Sequence, residues 1–209
     1  MPDQFLESMG LKIRYRSNDV PRSSSQPAKG IVILFHGLSF SLENWYEIGT
    51  VEMLANNGYQ VYAIDLPRGI KSKSDKVDYE SFSDYVPILD GIFSKLGEAT
   101  NPVVIVGPSM GGGLALAYSI AHPLEIKGLV LISPSLHSID KERLKVIKAP
   151  VLLVYGDRDD VFPLDQYGAP LKAKMEDCRI LTMKNAGHAA YMDRPKEFNE
   201  ALLSYLEKI

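Results

Sequence analysis

The residues of this chain best suited to chemistry are a serine, a histidine and a group of carboxylates: Ser109, His188, and Asp157, Asp159 and Asp160. Ser109 lies in Gly107-Pro108-Ser109-Met110-Gly111, directly after the apolar run Val103-Val104-Ile105-Val106 and before an apolar segment, Leu114 to His122. The order predicts a strand, a tight turn and a helix. In that setting a G-x-S-x-G pattern lifts the serine hydroxyl clear of a sheet, and glycines two residues to either side avoid a collision. The following helix begins with free N–H groups beside the serine, where an oxyanion would form. Two other glycine-rich turns fit less well. A dinucleotide-binding turn wants glycine where Ser109 and Leu114 stand, and a phosphate-binding loop wants a closing Lys-Ser/Thr pair that is missing here.

A serine hydroxyl is a poor nucleophile near neutral pH and needs a base, a role suited to histidine. His188 follows the last apolar run, Ile180 to Met183, in Asn185-Ala186-Gly187-His188. In an open α/β sheet that is the C-terminal edge, where Ser109 also stands and where ligands bind. The acid is expected after the run Val151 to Tyr155, in Gly156-Asp157-Arg158-Asp159-Asp160. Asp159 is favoured as the residue that orients His188. Asp157 is expected to brace the turn by accepting backbone N–H groups, and Asp160 to face solvent. The chain order Ser, Asp, His fits this architecture. Two backbone donors should meet the developing oxyanion: the N–H of Met110, and that of Leu38 in the loop His36-Gly37-Leu38-Ser39-Phe40. His36 is read as a structural residue that hydrogen-bonds within that loop.

These residues need a frame. Ile31 to Phe35, Val61 to Ile64, Val103 to Val106, Leu129 to Ile132, Val151 to Tyr155 and Ile180 to Met183 are apolar without alternation, as strands covered on both faces are. Between them lie segments with helical spacing. Phe82, Tyr85, Val86, Leu89, Phe93 and Leu96 share one face, as do Phe198, Ala201, Leu202, Tyr205, Leu206 and Ile209, with Pro195 at a first helical position and Asp193 as a cap. A third helix is expected from about Leu42 to Asn56, ended by Gly58. Leu11, Ile13 and Tyr15 alternate with Lys12, Arg14 and Arg16, which predicts a half-exposed antiparallel edge hairpin over Phe5 to Arg16. Ser17 to Lys29 reads as a surface loop. The expectation is one α/β domain over residues 1–209, with a doubly wound, mostly parallel sheet of about eight strands.

Composition excludes other classes. Of 209 residues, 45% are apolar and 23% charged, with a formal net charge of −3 and no basic stripe, so no nucleic-acid partner is expected. One cysteine, Cys178, rules out an internal disulfide, and the four scattered histidines give no metal-binding spacing. No leader pattern opens the chain and no apolar run is long enough to span a bilayer. A cytoplasmic protein that uses neither metal nor organic cofactor and has no membrane partner is expected.

Together, His36-Gly37, Gly107-Pro108-Ser109-Met110-Gly111, Gly156-Asp157-Arg158-Asp159 and Gly187-His188 resemble the α/β-hydrolase superfamily over nearly the whole chain. The resemblance implies an acid three residues past Gly156, again Asp159, and oxyanion donors at Leu38 and Met110. Within it, His36 to Ser41 followed by Glu43-Asn44-Trp45, Ala63-Ile64-Asp65-Leu66-Pro67 and Val154-Tyr155-Gly156-Asp157 are similar to the subfamily called α/β-hydrolase domain-containing protein fourteen. That subfamily implies an esterase-like or deacylating enzyme, and some members are protein-interaction partners. The chain departs from the family at Arg68-Gly69-Ile70-Lys71-Ser72, where Gly-x-Gly-x-Ser is usual, and Gly107-Pro108 is closer to the general superfamily elbow than to the subfamily form.

Only Ser133 to Pro150 is available for a cap, with one short helix expected over Ser138 to Val146, so the site should be open. Leu38, Phe40, Met110, Phe162 and Tyr191 are the candidate pocket residues, although core packing explains Phe162 and Tyr191 equally well. A shallow apolar pocket favours small, short-acyl esters as the partner molecule. The expected activity is that of a serine carboxylesterase. A thioesterase, deacylase or acyltransferase using the same acyl-enzyme is the alternative, and a catalytically silent interaction module on the same fold is the alternative of another class. The serine nucleophile argues against dehalogenase or epoxide hydrolase chemistry.

Overall fold

β1 (Gln4–Ser8) and β2 (Leu11–Ser17) form an antiparallel hairpin at one edge of the sheet, and β2 continues antiparallel onto β4 (Gln60–Ile64). β3 (Ile31–Leu34), β4, β5 (Val103–Pro108), β6 (Ile126–Ile132), β7 (Val151–Gly156) and β8 (Cys178–Met183) are parallel, in the order β1-β2-β4-β3-β5-β6-β7-β8. This computed structural model describes residues 1–18, 28–97 and 103–209. The surface loop expected over Ser17 to Lys29 therefore lies, for residues 19–27, outside the described residues.

The unbroken apolar runs follow from burial on both faces. Successive strand residues point to opposite sides. In β3 and its extension, Ile33 and Phe35 join one core, and Val32 and Leu34 join the other. The first core is closed by α3 (Val86–Leu96) and α4 (Met110–Ala121), through residues such as Leu89, Phe93, Leu114 and Tyr118. The second is closed by α1 (Glu43–Glu47), α2 (Thr50–Asn56) and α7 (Pro195–Leu206), through Trp45, Leu54 and Phe198. Two further short helices are α5 (Ala169–Lys172) and α6 (Ala190–Asp193).

Four expectations need correction. The helix over Leu42 to Asn56 is two helices, broken where Gly49 takes a φ of 73°. Ser138 to Val146 contains only a 3-10 turn at Arg143–Val146, since Ser138 itself adopts a left-handed φ of 58°. Asp193 does not cap α7; Arg194 occupies that position, and Asp193 ends α6. Its carboxylate instead accepts the Gly187 amide at 2.8 Å, bracing the loop that carries His188. Last, Arg14 does not face solvent. Its side chain is fully buried, paired with Asp65 at 3.0 Å and with Asp3 at 2.8 Å, because carboxylates from three other segments converge on it. Alternation predicted the strand and the side of this charge correctly, but not that carboxylates cover that side.

Candidate active site

Ser109 stands at the end of β5 with φ 49° and ψ −115°, a conformation rare for a residue with a side chain. The strain is maintained from both sides. The Ser109 amide donates to the Ile132 carbonyl at 2.8 Å, and its own carbonyl accepts the Ser135 amide at 2.9 Å. The neighbouring glycines are required by close approach, though not to the serine itself as expected. A Cβ on Gly107 would lie 2.6 Å from the Gly111 carbonyl oxygen, and one on Gly111 would lie 2.6 Å from that of His36. The elbow and the loop after β3 are thus packed backbone against backbone.

That loop is fixed by His36. The ring is buried; Nε2 accepts the Leu66 amide at 2.9 Å, and Nδ1 lies 2.8 Å from the Gly37 carbonyl. Because Nε2 accepts, Nδ1 carries the hydrogen and donates. The Gly37 carbonyl, which also takes the Phe40 amide at 3.1 Å, is turned toward these donors. The peptide is trans, so the Leu38 N–H points the opposite way. Among the described residues, neither the Leu38 N–H nor the Met110 N–H at the start of α4 donates to a protein acceptor. A Cβ on Gly37 would lie 3.8 Å from Ser109 Cβ and 3.4 Å from the Phe40 ring, so the three residues lie against one another. The departing segment Arg68 to Ser72 backs this loop: the Ile70 amide donates to the Leu38 carbonyl at 2.7 Å.

His188 follows β8, three strands away from Ser109 in the sheet order. At about 4.8 Å per strand that is roughly 14 Å, too far for direct proton transfer without a returning loop. The loop turns back over the neighbouring strand. The Asp157 amide donates to Met183, and the Arg158 amide donates to the Ala186 carbonyl at 2.9 Å, so residues 184–188 fold back across the end of β7. Asp157 accepts the Ala186 amide at 3.3 Å, bracing the histidine loop rather than its own turn. Asp160 is exposed.

The His188 ring Nδ1 lies 3.1 Å from Oδ1 and 3.0 Å from Oδ2 of Asp159. Asp159 is buried, and Oδ1 also accepts the Val161 and Phe162 amides at 3.0 and 2.9 Å. Burial alone would raise its pKa. The Ser133 hydroxyl, the Phe162 amide and His188 outweigh it and hold the carboxyl below its usual range. The His188 side chain keeps 23% of its surface accessible.

Of the pocket candidates, Leu38 is 43% exposed, Phe40 is half-buried and Met110 is buried. Phe162 is half-buried, and its ring meets His188 edge-on at 5.1 Å. Tyr191 is 1% exposed and packs against Trp45 and Phe198, with Phe40 at 6.4 Å, so it stands in the core behind Phe40. Sequence reasoning did not anticipate the apolar rim residues Ile70 and Val161, which are 69% and 52% exposed. Ser133 was also missed, because its signal is a backbone angle.

A mostly parallel eight-stranded sheet that carries a strained serine elbow and a carboxylate-bound histidine has the form of an α/β-hydrolase. The chain belongs to the hydrolase family described as serine aminopeptidase, S33, whose model matches residues 26–141. It is 32% identical over 186 residues to the human protein named "Putative protein-lysine deacylase ABHD14B", covering 88% of this chain and 86% of that one. It is also 32% identical over 179 residues to Protein ABHD14A of Danio rerio, covering 85% of this chain but only 64% of that protein's length. Among solved structures, a protein described as a predicted CIB-like hydrolase from Thermoplasma acidophilum superimposes with a TM-score of 0.88 at 24% identity, over 100% of this chain and 98% of that one. The carboxylesterase CesB from Bacillus subtilis does so with a TM-score of 0.83 at 18% identity, over 98% and 91%. Among the described residues, no helix is long and apolar enough to cross a membrane.

Proposed function

We propose that this hydrolase cleaves small, short-acyl carboxylic esters through an acyl-enzyme on Ser109. The observation that carries the reading is the bond from His188 Nδ1 to both oxygens of Asp159, made at the sheet edge where the strained Ser109 elbow also stands. With Nδ1 engaged by a carboxylate, the imidazole is held with Nε2 free to act as a base.

In this mechanism Ser109 Oγ attacks the ester carbonyl carbon while His188 Nε2 takes the hydroxyl proton. The carbonyl oxygen becomes an oxyanion received by the Leu38 and Met110 N–H groups. The carbon–oxygen bond to the leaving alcohol then breaks, and the alcohol departs with the proton held by His188. Water, deprotonated by His188, attacks the acyl-serine, releasing the carboxylic acid and restoring the Ser109 hydroxyl. The open rim of Leu38, Phe40, Phe162 and Val161 supports a short apolar acyl group.

One observation favours a second reading. The human relative's name carries protein-lysine deacylase, and hydrolysis of an acyl-lysine amide would use the same acyl-enzyme with an amine as leaving group. An open mouth is compatible with a side chain presented on a protein surface. Turnover of p-nitrophenyl acetate and of an acetyl-lysine peptide, by the native protein and by Ser109→Ala, tests both. The proposal expects ester turnover that the substitution abolishes. Turnover that survives Ser109→Ala removes Ser109 from the chemistry, and an inactive native protein favours an interaction module.

A further inference from the structure

We propose that Ser133 is a positioning residue for the acid of this site, its hydroxyl donating to the Asp159 carboxylate and holding it against His188. The inference rests on the reading of Ser109, His188 and Asp159 given above. Ser133 is the first residue after β6, the strand between the one that delivers Ser109 and the one that delivers Asp159. The short turn it begins is tied to both. Ile132 accepts the Ser109 amide, and Ser135 donates to the Ser109 carbonyl; the Ser133 amide donates to the Val154 carbonyl of β7 at 3.0 Å.

Two features of Ser133 are costly unless they serve something. Its φ is 42°, in the left-handed region that glycine or asparagine adopts more readily. Its side chain is completely buried, and Oγ meets full hydrogen-bond geometry with no atom among the described residues. A buried hydroxyl without a partner costs about 1–3 kcal/mol. Asp159 leaves the end of β7, the strand to which the Ser133 amide is bonded, and the Ser133 hydroxyl is among the groups that hold that carboxyl below its usual range, so the carboxylate is the acceptor we assign to it.

The acceptor has room for it. An ionised carboxylate offers about four lone-pair positions. Oδ1 already takes the Val161 and Phe162 amides, and His188 Nδ1 lies between the two oxygens, which leaves Oδ2 the less occupied. The ionisable groups near Asp159 are His188 and Tyr155, the latter buried and with its own hydroxyl unpartnered. Asp157 and Asp160 flank it in sequence but lie at the surface.

The expected consequence has a definite sign. Removing a donor leaves more charge on the carboxylate, which holds the protonated form of His188 more tightly, so the base is freed only at higher pH. The test is the pH profile of kcat/KM for p-nitrophenyl acetate in the native protein, Ser133→Gly, Ser133→Ala and Tyr155→Phe. Glycine removes the hydroxyl while suiting the backbone angle, so its effect is not one of strain. The acid limb should move up by about half a pH unit in both Ser133 variants, with kcat lowered about three- to tenfold. Tyr155→Phe should leave the limb in place. An unmoved limb in Ser133→Gly, or a shift in Tyr155→Phe alone, overturns the proposal. If the native protein has no esterase activity, the catalytic reading fails. The Ser133 assignment then stands or falls on the titration of the His188 ring by NMR, which should show the same upward displacement in Ser133→Gly.

Discussion

The backbone carbonyl of Ala186 lies directly over Gly156, so the loop carrying His188 crosses the end of β7 where no side chain fits. A Cβ at Gly156 would overlap the carbonyl oxygens of both Ala186 and Gly187, and neither can turn away without moving the histidine. Gly156→Ala should therefore cost about 1–3 kcal/mol of stability. It should also lower kcat/KM at least about tenfold by displacing His188. Chemical denaturation and ester kinetics check the two halves separately. Full activity in a normally folded Gly156→Ala protein would show that the loop tolerates another path.

The loop bearing Leu38 depends on a neutral His36. Burial, the largest influence, pushes its pKa below the ordinary value, against the pull of the Gly37 carbonyl and Asp65. The unfolded chain takes a proton at this residue near pH ~6.5, whereas the folded protein resists it. Below that pH the unfolded state binds more protons, so stability falls as pH falls. His36→Leu should be less stable at pH 7, since the Leu66 amide loses its acceptor, and should show a shallower decline between about pH 6.5 and 5. With the Gly37 peptide released, kcat should drop about tenfold or more while KM changes little. Equal pH slopes in the two proteins would contradict this assignment.

Arg14 anchors the antiparallel edge. Asp65, its fully buried partner, also accepts the Leu42 amide at 2.8 Å and the Lys73 amide at 2.9 Å. Arg14→Met would leave that carboxylate uncompensated, at an expected cost of about 3–5 kcal/mol. Asp3 is held at about 2 by its hydrogen bond to Arg14, with Arg16 assisting against burial. Its contribution is present above about pH 4 and is lost as pH falls toward 2. Urea titrations should show a large loss for Arg14→Met at pH 7, and a flatter acid limb for Asp3→Asn. A loss under about 1 kcal/mol for Arg14→Met would mean that water replaces the guanidinium.

Much of this was legible beforehand. Strands buried on both faces leave unbroken runs of Val, Ile and Leu, and these six runs match β3 to β8, Phe35 just beyond its strand and β6 beginning at Ile126, ahead of the run from Leu129. The elbow was visible because glycines must flank a turn that packs backbone on backbone. Arg14 was misread because periodicity records which side a residue faces but not whether carboxylates wait there. The break at Gly49 and the missing cap role of Asp193 were hidden because one glycine, or one acid before a proline, fits several local structures. Ser133 left no trace in composition or spacing, since its distinguishing feature is a dihedral angle.

The most direct test maps the adduct of a fluorophosphonate probe by peptide mass spectrometry, in the native protein and in His188→Ala. The account predicts modification at Ser109 alone in the native protein, and labelling slowed by at least about a hundredfold in the variant. Modification at another residue, or labelling of Ser109 at an unchanged rate without His188, would contradict it.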